Sequence, residues 1–109
     1  MDNIQQIMDK LQKGLYSNDP HGAANDVSVL AGEYAWICGQ LEIILAQKPQ
    51  VWNKMRQDVK SDTACERQWE MTPDGINEMA LKLRAKSVEK MMSSLRTLVR
   101  LQTNQVLNS

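Results

Sequence analysis

Apolar residues recur along most of the chain at spacings of three and four, which is the periodicity of one face of an α-helix. Segments that alternate between apolar and polar residues, as half-buried strands do, are nearly absent. We therefore expect an all-α fold, a helical bundle of four or five helices that forms a single domain over residues 1–109. No linker is long enough to divide the chain.

The first two helices are predicted from their apolar positions and their boundary residues. The first covers about residues 2–16, and Ser17-Asn18-Asp19 breaks it. The second opens at Pro20, because proline fits the first helical position after a capping side chain. We expect it to end at Lys48-Pro49, since the residue before a proline disfavours the helical conformation. Its apolar stripe consists of Val27, Leu30, Ala31, Tyr34, Ile37, Cys38, Leu41, Ile44 and Leu45.

The segment 50–71 has two interpretations. It is either one helix or two, because Ser61-Asp62-Thr63 can interrupt a helix or cap a new one. Trp69 is expected to cover the junction that follows, with its indole N–H on a hydrogen-bond partner. Thr72 can then cap the last helix, with Pro73 at its first position. The alternative is a turn after Pro73 and a helix that starts at Ile76.

The last helix is the longest, over roughly 74–106, with a tail at 103–109 that we expect to fray. One apolar stripe contains Ile76, Met79, Ala80, Leu83, Ser87, Met91, Ser94, Leu95, Leu98 and Gln102, and a second, offset stripe contains Leu81, Val88, Met92, Val99 and Val106. Such a broad surface is typical of a helix at the centre of a bundle or one shared with a partner chain. We expect a homo-oligomer, with a dimer as the first choice. The candidate oligomer or packing residues are Leu81, Val88, Met92, Leu95, Val99 and Trp69.

Charge changes this picture only locally. The chain has 13 basic and 13 acidic residues, so no overall field draws it to nucleic acid or to a membrane. Residues 1–72 carry 7 basic and 10 acidic groups, net −3, while residues 73–109 carry 6 basic and 3 acidic groups, net +3. One half can therefore attract the other, or the opposite half of a partner copy.

Five cations are spaced along the last helix. They are the candidate contacts for nucleic acid or an acidic partner: Lys82, Lys86, Lys90, Arg96 and Arg100. The first three are four residues apart and share a face, so the line can follow a phosphate backbone. The alternative, which we favour from the sequence, is a solvated face paired to the acidic N-terminal half. Aromatic residues make up 5% of the chain and do not alternate with these cations, which argues against a platform that stacks single-stranded bases.

Signals for catalysis, metals and cofactors are weak. His21 is the single histidine, and the two cysteines lack metal-ligand spacing. No strand–turn–helix nucleophile motif occurs, and the glycines are scattered rather than clustered for phosphate binding. We expect no enzyme activity, no cofactor and no metal site.

Two groups of residues have competing interpretations. Gly32 and Gly39, seven residues apart, predict close approach of a neighbouring helix or, alternatively, a ligand slot. Met79 and Met91-Met92 are expected to fill gaps in the core, because methionine adapts to irregular spaces. The alternative is an adaptable groove that binds another protein.

Cellular location is inferred from cysteines and hydropathy. Cys38 and Cys65 do not make a disulfide framework, so we expect reduced thiols in an intracellular protein. The N-terminal segment is polar and lacks the features of a signal peptide. No apolar run approaches the roughly 20 residues that span a bilayer. These features predict a cytoplasmic protein with no membrane contact.

Part of the chain resembles a known group of proteins. The residues that carry the resemblance are Ser61, Ala64, Trp69-Glu70, Thr72, Gly75, Glu78, Leu81-Lys82, Ala85-Lys86, Glu89-Lys90, Met92-Ser93-Ser94-Leu95 and Thr97. Over 61–97, about a third of the chain, it resembles small helical proteins encoded by tailed bacteriophages, whose genes often lie in early clusters near recombination and replication genes. The resemblance implies an accessory protein that works by binding in the cytoplasm of the bacterial host. It supplies no catalytic residue.

Two functional hypotheses follow. The leading one is a non-enzymatic phage accessory protein that assists recombination or replication through protein contacts and weak DNA contacts, using the five cations of the last helix. The alternative is an inhibitor of a host or anti-phage defence protein. That inhibitor would bind its target through exposed acidic and aromatic residues of the N-terminal half and would have no DNA affinity of its own.

Overall fold

The chain is helical throughout most of the part that the computed structural model describes, which is residues 2–107, with side chains for residues 2–104. Four helices follow one another: α1 (Asn3–Gln12), α2 (Pro20–Asp58), α3 (Asp62–Glu70) and α4 (Pro73–Leu107). The structure is 87% helical and has no strand among the described residues. This confirms the predicted all-α fold of four or five helices.

α1 ends at Gln12, four residues before its predicted end. Gly14 adopts a left-handed conformation with φ +66°, which a residue without a Cβ reaches at little cost. Its N–H donates to the Leu11 carbonyl over 3.2 Å, and the N–H of Leu15 donates to the Lys10 carbonyl over 3.0 Å. This pair of bonds is a Schellman motif, which satisfies the last carbonyls and stops the helix.

α2 passes through Pro49 and ends at Asp58, so the predicted end at Lys48-Pro49 is wrong. A proline inside a helix costs about 3 kcal/mol, because it lacks an N–H and its ring crowds the preceding turn. Contacts on both sides of Pro49 offset this cost. The Lys48 ammonium lies 3.0 Å from a carboxylate oxygen of Glu66, and the Trp52 indole N–H donates to the other oxygen over 3.1 Å. Tertiary contacts therefore override the local signal.

The segment 50–71 contains the end of α2 and a separate helix, α3. Ser61 stands before α3 with an extended backbone, and its hydroxyl accepts from the Ala64 N–H over 3.1 Å. The serine is thus an N-cap, and the interpretation of 50–71 as two helices is the one that holds.

α4 begins at Pro73 behind a Thr72 cap, as predicted, so the alternative start at Ile76 is wrong. The Thr72 hydroxyl accepts from the Gly75 N–H over 3.0 Å and donates to the Trp69 carbonyl over 2.6 Å. A Cβ on Gly75 would overlap that same carbonyl oxygen. The close approach of the two backbones therefore explains the glycine. α4 is helical through Leu107, and fraying of 103–109 remains a prediction. The Val106 side chain and residues 108–109 lie outside the described part.

The chain divides into two compact units. Unit 1 consists of Met1–Ala35 and Lys86–Ser109, and unit 2 consists of Trp36–Ala85. The buried apolar residues of unit 1 are Ile4, Ile7, Tyr16, Ala23, Leu30, Val88, Met91 and Leu95, and those of unit 2 are Ile37, Cys65 and Trp69. Unit 1 also buries a polar group, the Asp26 carboxylate, which accepts a hydrogen bond from the Tyr16 hydroxyl and lies 3.3 Å from the Lys10 ammonium.

Several residues of α2 lie outside its core-facing stripe. Cys38 is exposed, although its spacing predicted a buried position. A Cβ added to Gly32 or Gly39 would have nothing within 4 Å, so the predicted close approach of another helix at these glycines is wrong. The core-facing stripe of α2 is therefore narrower than the sequence pattern indicated.

α2 contains one window that is long and apolar enough to cross a membrane by length and composition, with a mean hydropathy of 1.3. In the structure, 17% of this window is buried. This window was not predicted from the sequence, and it contains two acidic residues, Glu33 and Glu42. Core helices of soluble proteins and signal sequences share this length and composition.

Candidate functional site

The five predicted cations of α4 lie on exposed positions, Lys82 in unit 2 and the other four in unit 1. Lys82 is 3.7 Å from Glu78, one helical turn away. We call the four cations of unit 1 the cation face: Lys86, Lys90, Arg96 and Arg100. No ion pair joins any of them to a carboxylate within residues 2–104. The four positions are exposed, as the favoured alternative of a solvated face predicted, but pairing with the acidic half does not occur within the described residues.

One carboxylate accompanies the cation face. Glu89 is the single acidic residue between Lys86 and the end of α4, and its carboxylate accepts a hydrogen bond from the Tyr34 hydroxyl over 2.6 Å. Four cations and one carboxylate leave this stretch of α4 with a net charge of +3. Glu89 also forms no ion pair with a neighbouring cation of the described chain.

Two shallow grooves border the cation face within unit 1, and Arg96 lines both. One, of about 280 Å³, lies against Arg100 as well and is otherwise lined by Ala24, Val27 and Val99. The other, of about 260 Å³, is lined by Tyr34, Glu89 and Met92. An arginine can rest its aliphatic stem on such apolar surface while its guanidinium stays in water. The apolar lining of the grooves therefore offers a packing surface for the aliphatic stems of Arg96 and Arg100.

The candidate oligomer or packing residues are all buried or half-buried within the chain. Trp69, Val88 and Leu95 are buried, and Leu81, Met92 and Val99 are half-buried. Met91 is also buried, as expected of a core methionine, whereas Met79 is 52% exposed, so its predicted core role is wrong. This stripe of α4 is therefore used largely inside the chain.

A charged cluster that the sequence pattern did not predict lies in unit 2 around Lys48. Its ammonium contacts Glu66 on α3 at 3.0 Å and Glu78 on α4 at 3.3 Å. The same nitrogen lies 5.3 Å from the centre of the Trp69 ring, within cation–π range. A signal was present in the spacing, because Lys48 continues the stripe of Ile37, Leu41 and Ile44.

The pKa values in this cluster follow its contacts. Burial alone lowers the pKa of Lys48, but hydrogen bonds to Glu66 and Glu78 and their negative charges outweigh it, and the pKa is raised. The hydrogen bond from Lys48 lowers the pKa of Glu66, with a further contribution from the Trp52 N–H against partial burial. Both partners are thus held in their charged forms.

The cluster is saturated by its own contacts. Each oxygen of Glu66 accepts a hydrogen bond, one from Lys48 and one from Trp52, and Glu78 lies between Lys48 and Lys82. The Trp69 indole N–H, by contrast, has no acceptor in the described part of the chain, against expectation. Such an arrangement stabilises the meeting point of α2, α3 and α4 in unit 2.

Metal-ligating residues do not converge in the described region. No group of three or more His, Cys, Asp or Glu side chains there could hold a metal ion. His21 is exposed, and Cys38 and Cys65 are both free thiols, the first exposed and the second buried.

Comparison of this chain with protein-family models, with curated proteins and with solved structures finds no match. The resemblance of residues 61–97 to phage proteins therefore stays a prediction.

Proposed function

We propose that this protein is a non-enzymatic binding protein that contacts the phosphates of nucleic acid through the cation face of α4. The observation that carries the proposal is the absence of an ion pair at Lys86, Lys90, Arg96 and Arg100 in the described part of the chain. Structural cations on a helix commonly lie beside carboxylates, as Lys82 lies beside Glu78. Four cations on one helix without an ion pair favour an external anion instead.

The electrostatics suit phosphates more than bases. Lys86 and Lys90 are four residues apart, as are Arg96 and Arg100, so each pair places two charges about 6 Å apart along the helix. Each phosphate that is neutralised releases condensed counterions, so affinity depends on salt rather than on sequence. With about four phosphates contacted, the slope of log affinity against log salt is expected near −3.6 for a duplex. Binding of this kind is weak and independent of sequence.

The biological setting is part of the proposal. The resemblance of residues 61–97 supports an accessory protein of a tailed bacteriophage that acts beside recombination or replication proteins in the bacterial cytoplasm. In such a role the cation face would keep the protein near DNA while other surfaces contact the protein partner. No reaction is assigned to the chain, and neither a metal nor a cofactor is needed for this function.

Fluorescence anisotropy with labelled single- and double-stranded DNA at two salt concentrations tests the proposal. The unmodified protein should bind at low salt and lose affinity as salt rises. The double variant Arg96→Gln, Arg100→Gln should bind more weakly and have a salt slope that is smaller by about 1.8. The variant Arg96→Lys should keep most of the affinity, because a phosphate contact needs the charge more than the guanidinium.

A matched control removes the same charge elsewhere. Lys54 and Lys60 are exposed residues of unit 2 that lie outside the cation face. The double variant Lys54→Gln, Lys60→Gln should bind DNA nearly as well as the unmodified protein. If it loses as much affinity as the arginine variant, binding is a general charge effect. If no DNA binds even at low salt, the proposed function is wrong.

A second candidate function is inhibition of a host or anti-phage defence protein. The observation that favours it is Trp36, an aromatic residue of the N-terminal half that is 57% exposed, near the exposed Glu42 in sequence. Tryptophan is enriched at the centres of protein interfaces, where its burial contributes much of the binding energy. This candidate predicts a tight protein complex that Trp36→Ala weakens and Arg96→Gln leaves unchanged. Pull-down from host lysate with both variants distinguishes it from the first.

A further inference from the structure

Most of the large apolar side chains that are exposed in the described residues belong to unit 2. Seven are exposed: Trp36, Ile43, Leu45, Met71, Ile76, Met79 and Leu83. Single exposed apolar residues are ordinary on protein surfaces, but aligned ones mark interaction sites. Five of the seven fall into two aligned sets, one on α4 and one on α2.

The α4 stripe consists of Ile76, Met79 and Leu83, which are 57%, 52% and 59% exposed. Their steps of three and four place them on one face, as in the seam of a coiled coil. The α2 stripe consists of Trp36 and Ile43, 57% and 56% exposed and two helical turns apart. Each stripe covers seven residue steps, or about 10.5 Å along its helix. The two stripes are therefore matched in length.

The charges around the stripes are of opposite sign. α2 has acidic residues and neither lysine nor arginine between Pro20 and Gln47, and the exposed Glu42 beside Ile43 forms no ion pair within the described residues. The α4 stripe is flanked by Lys82, whose contact with Glu78 is long at 3.7 Å. An acidic apolar stripe and a basic apolar stripe on the same chain complement each other.

From these features we propose that the α4 stripe of one copy packs on the α2 stripe of a second copy, and that two such contacts, related by two-fold symmetry, form a dimer. The two-fold arrangement closes the assembly, because each copy then uses both of its stripes. Pairing of α4 with α4 is disfavoured, since it would bring the lysines that flank the two stripes together. Trp36 is the expected energetic centre of each contact. Self-association through these stripes is independent of whether the cation face binds nucleic acid.

Light scattering and sedimentation, from low micromolar to several hundred micromolar protein, measure the assembly. The unmodified chain should form a dimer. Ile43→Lys puts a cation in the α2 stripe, where it faces the basic α4 stripe of the second copy. Leu83→Glu puts an acid in the α4 stripe, where it faces the acidic α2 stripe of the second copy. Each variant alone should weaken the dimer at least about tenfold. Leu101→Glu, a change at a residue of unit 1 that is 50% exposed, is the matched control and should leave the dimer intact. Circular dichroism confirms that each variant is folded.

Mixing the two variants separates this contact from others. In a mixed dimer, one contact has two unmodified stripes, and the other sets the new lysine against the new glutamate. The mixture should therefore dimerise where each variant alone does not. Three results would overturn the proposal: a monomer at every concentration, loss of the dimer in Leu83→Glu but not in Ile43→Lys, or no recovery on mixing. Flotation of a monomeric protein with lipid vesicles would also overturn it and would instead assign the α2 stripe to a membrane surface.

Discussion

The Lys48 ammonium on α2 lies 3.3 Å from the Glu78 carboxylate on α4, and both side chains occupy positions where the stripe of their helix is otherwise apolar. Glu78 is 6% exposed. A carboxylate with so little water needs a partner, because an unpaired charge is costly away from solvent. The ion pair is thus a condition for packing these stretches of α2 and α4 against each other in unit 2.

Replacing Lys48 should destabilise the protein strongly. The variant Lys48→Met keeps most of the length of the side chain but leaves the buried Glu78 with the more distant Lys82 as its cation. We expect the free energy of unfolding to fall by about 3 kcal/mol, the range for breaking a buried pair from one side. Urea unfolding followed by circular dichroism measures the loss.

The control for this loss is an exposed pair. Lys13 and Asp9 are 3.0 Å apart, with side chains 62% and 43% exposed. Lys13→Met should change the free energy of unfolding by less than about 0.5 kcal/mol. Equal losses of unfolding free energy in the two variants would show that burial of the Glu78 carboxylate does not require the ion pair with Lys48.

Stability should fall in acid partly through Glu66. Its pKa is lowered in the folded protein, first of all by the hydrogen bond from Lys48, so its stabilising contribution is present above the unfolded pKa of about 4.3 and is lost as the pH falls through the lower folded value. The contribution is modest, because the side chain is 41% exposed. In Glu66→Gln, the fall in unfolding free energy between about pH 5 and pH 3 should be shallower. An unchanged slope in Glu66→Gln would contradict the contribution of this carboxylate.

The pH dependence of stability that Lys48 contributes has the opposite sign to that of Glu66. Its pKa is raised in the folded protein, so its contribution is present at neutral pH and is lost as the pH rises through the folded value, above about 10.4. Stability measured at alkaline pH should therefore decline in the unmodified protein and decline less in Lys48→Met.

Alanine should have opposite effects at two helical glycines. In Gly75→Ala, the new Cβ meets the Trp69 carbonyl, a backbone atom that cannot rotate away, and we expect a loss of about 1–3 kcal/mol. In Gly39→Ala, nothing lies within 4 Å of the new Cβ, and the higher helix propensity should add about 0.5–1 kcal/mol. Thermal unfolding of the two variants checks the sign, and a stabilised Gly75→Ala would contradict the tight junction.

The two cysteines should differ widely in reactivity. The thiolate is the reactive form, and burial raises the pKa of the Cys65 thiol while also shielding it. Cys38 is exposed. An alkylating reagent should label Cys38 at least about a hundredfold faster, because Cys65 reacts only in the small unfolded fraction. Cys38→Ser should abolish the fast phase, and both thiols should react equally in urea. Fast labelling of Cys65 in the folded protein would contradict its burial.

Local signals indicated the helix starts better than the helix ends, although they left open whether 50–71 contained one helix or two. Thr72-Pro73 and Ser61 act through side chains and ring geometry within three residues of themselves, so the sequence contains the whole cause. Pro49 is different. Whether a helix tolerates it depends on Lys48 and Trp52 finding partners on α3, which are distant in sequence. A local rule cannot contain that information.

The candidate site was predicted in its residues but not in its pairing. The exposure of the four cations follows from the polarity of their positions, but the partners of the acidic residues depend on tertiary contacts. Asp26, for example, is held by Tyr16 and Lys10. The cluster around Lys48 escaped prediction because it joins three helices through side chains 18 and 30 residues apart.

The order of the two units along the chain has a consequence for synthesis. Unit 2 is one continuous segment, Trp36–Ala85, whereas unit 1 takes its buried residues from before and after that segment. At about 5–20 residues per second, a ribosome needs roughly one to five seconds to add the stretch from Lys86 onward. Until then Ile4, Ile7 and Leu30 lack the other part of their core. The emerging chain therefore holds an incomplete unit 1 during translation, and a chaperone that binds apolar segments has its best opportunity in that interval.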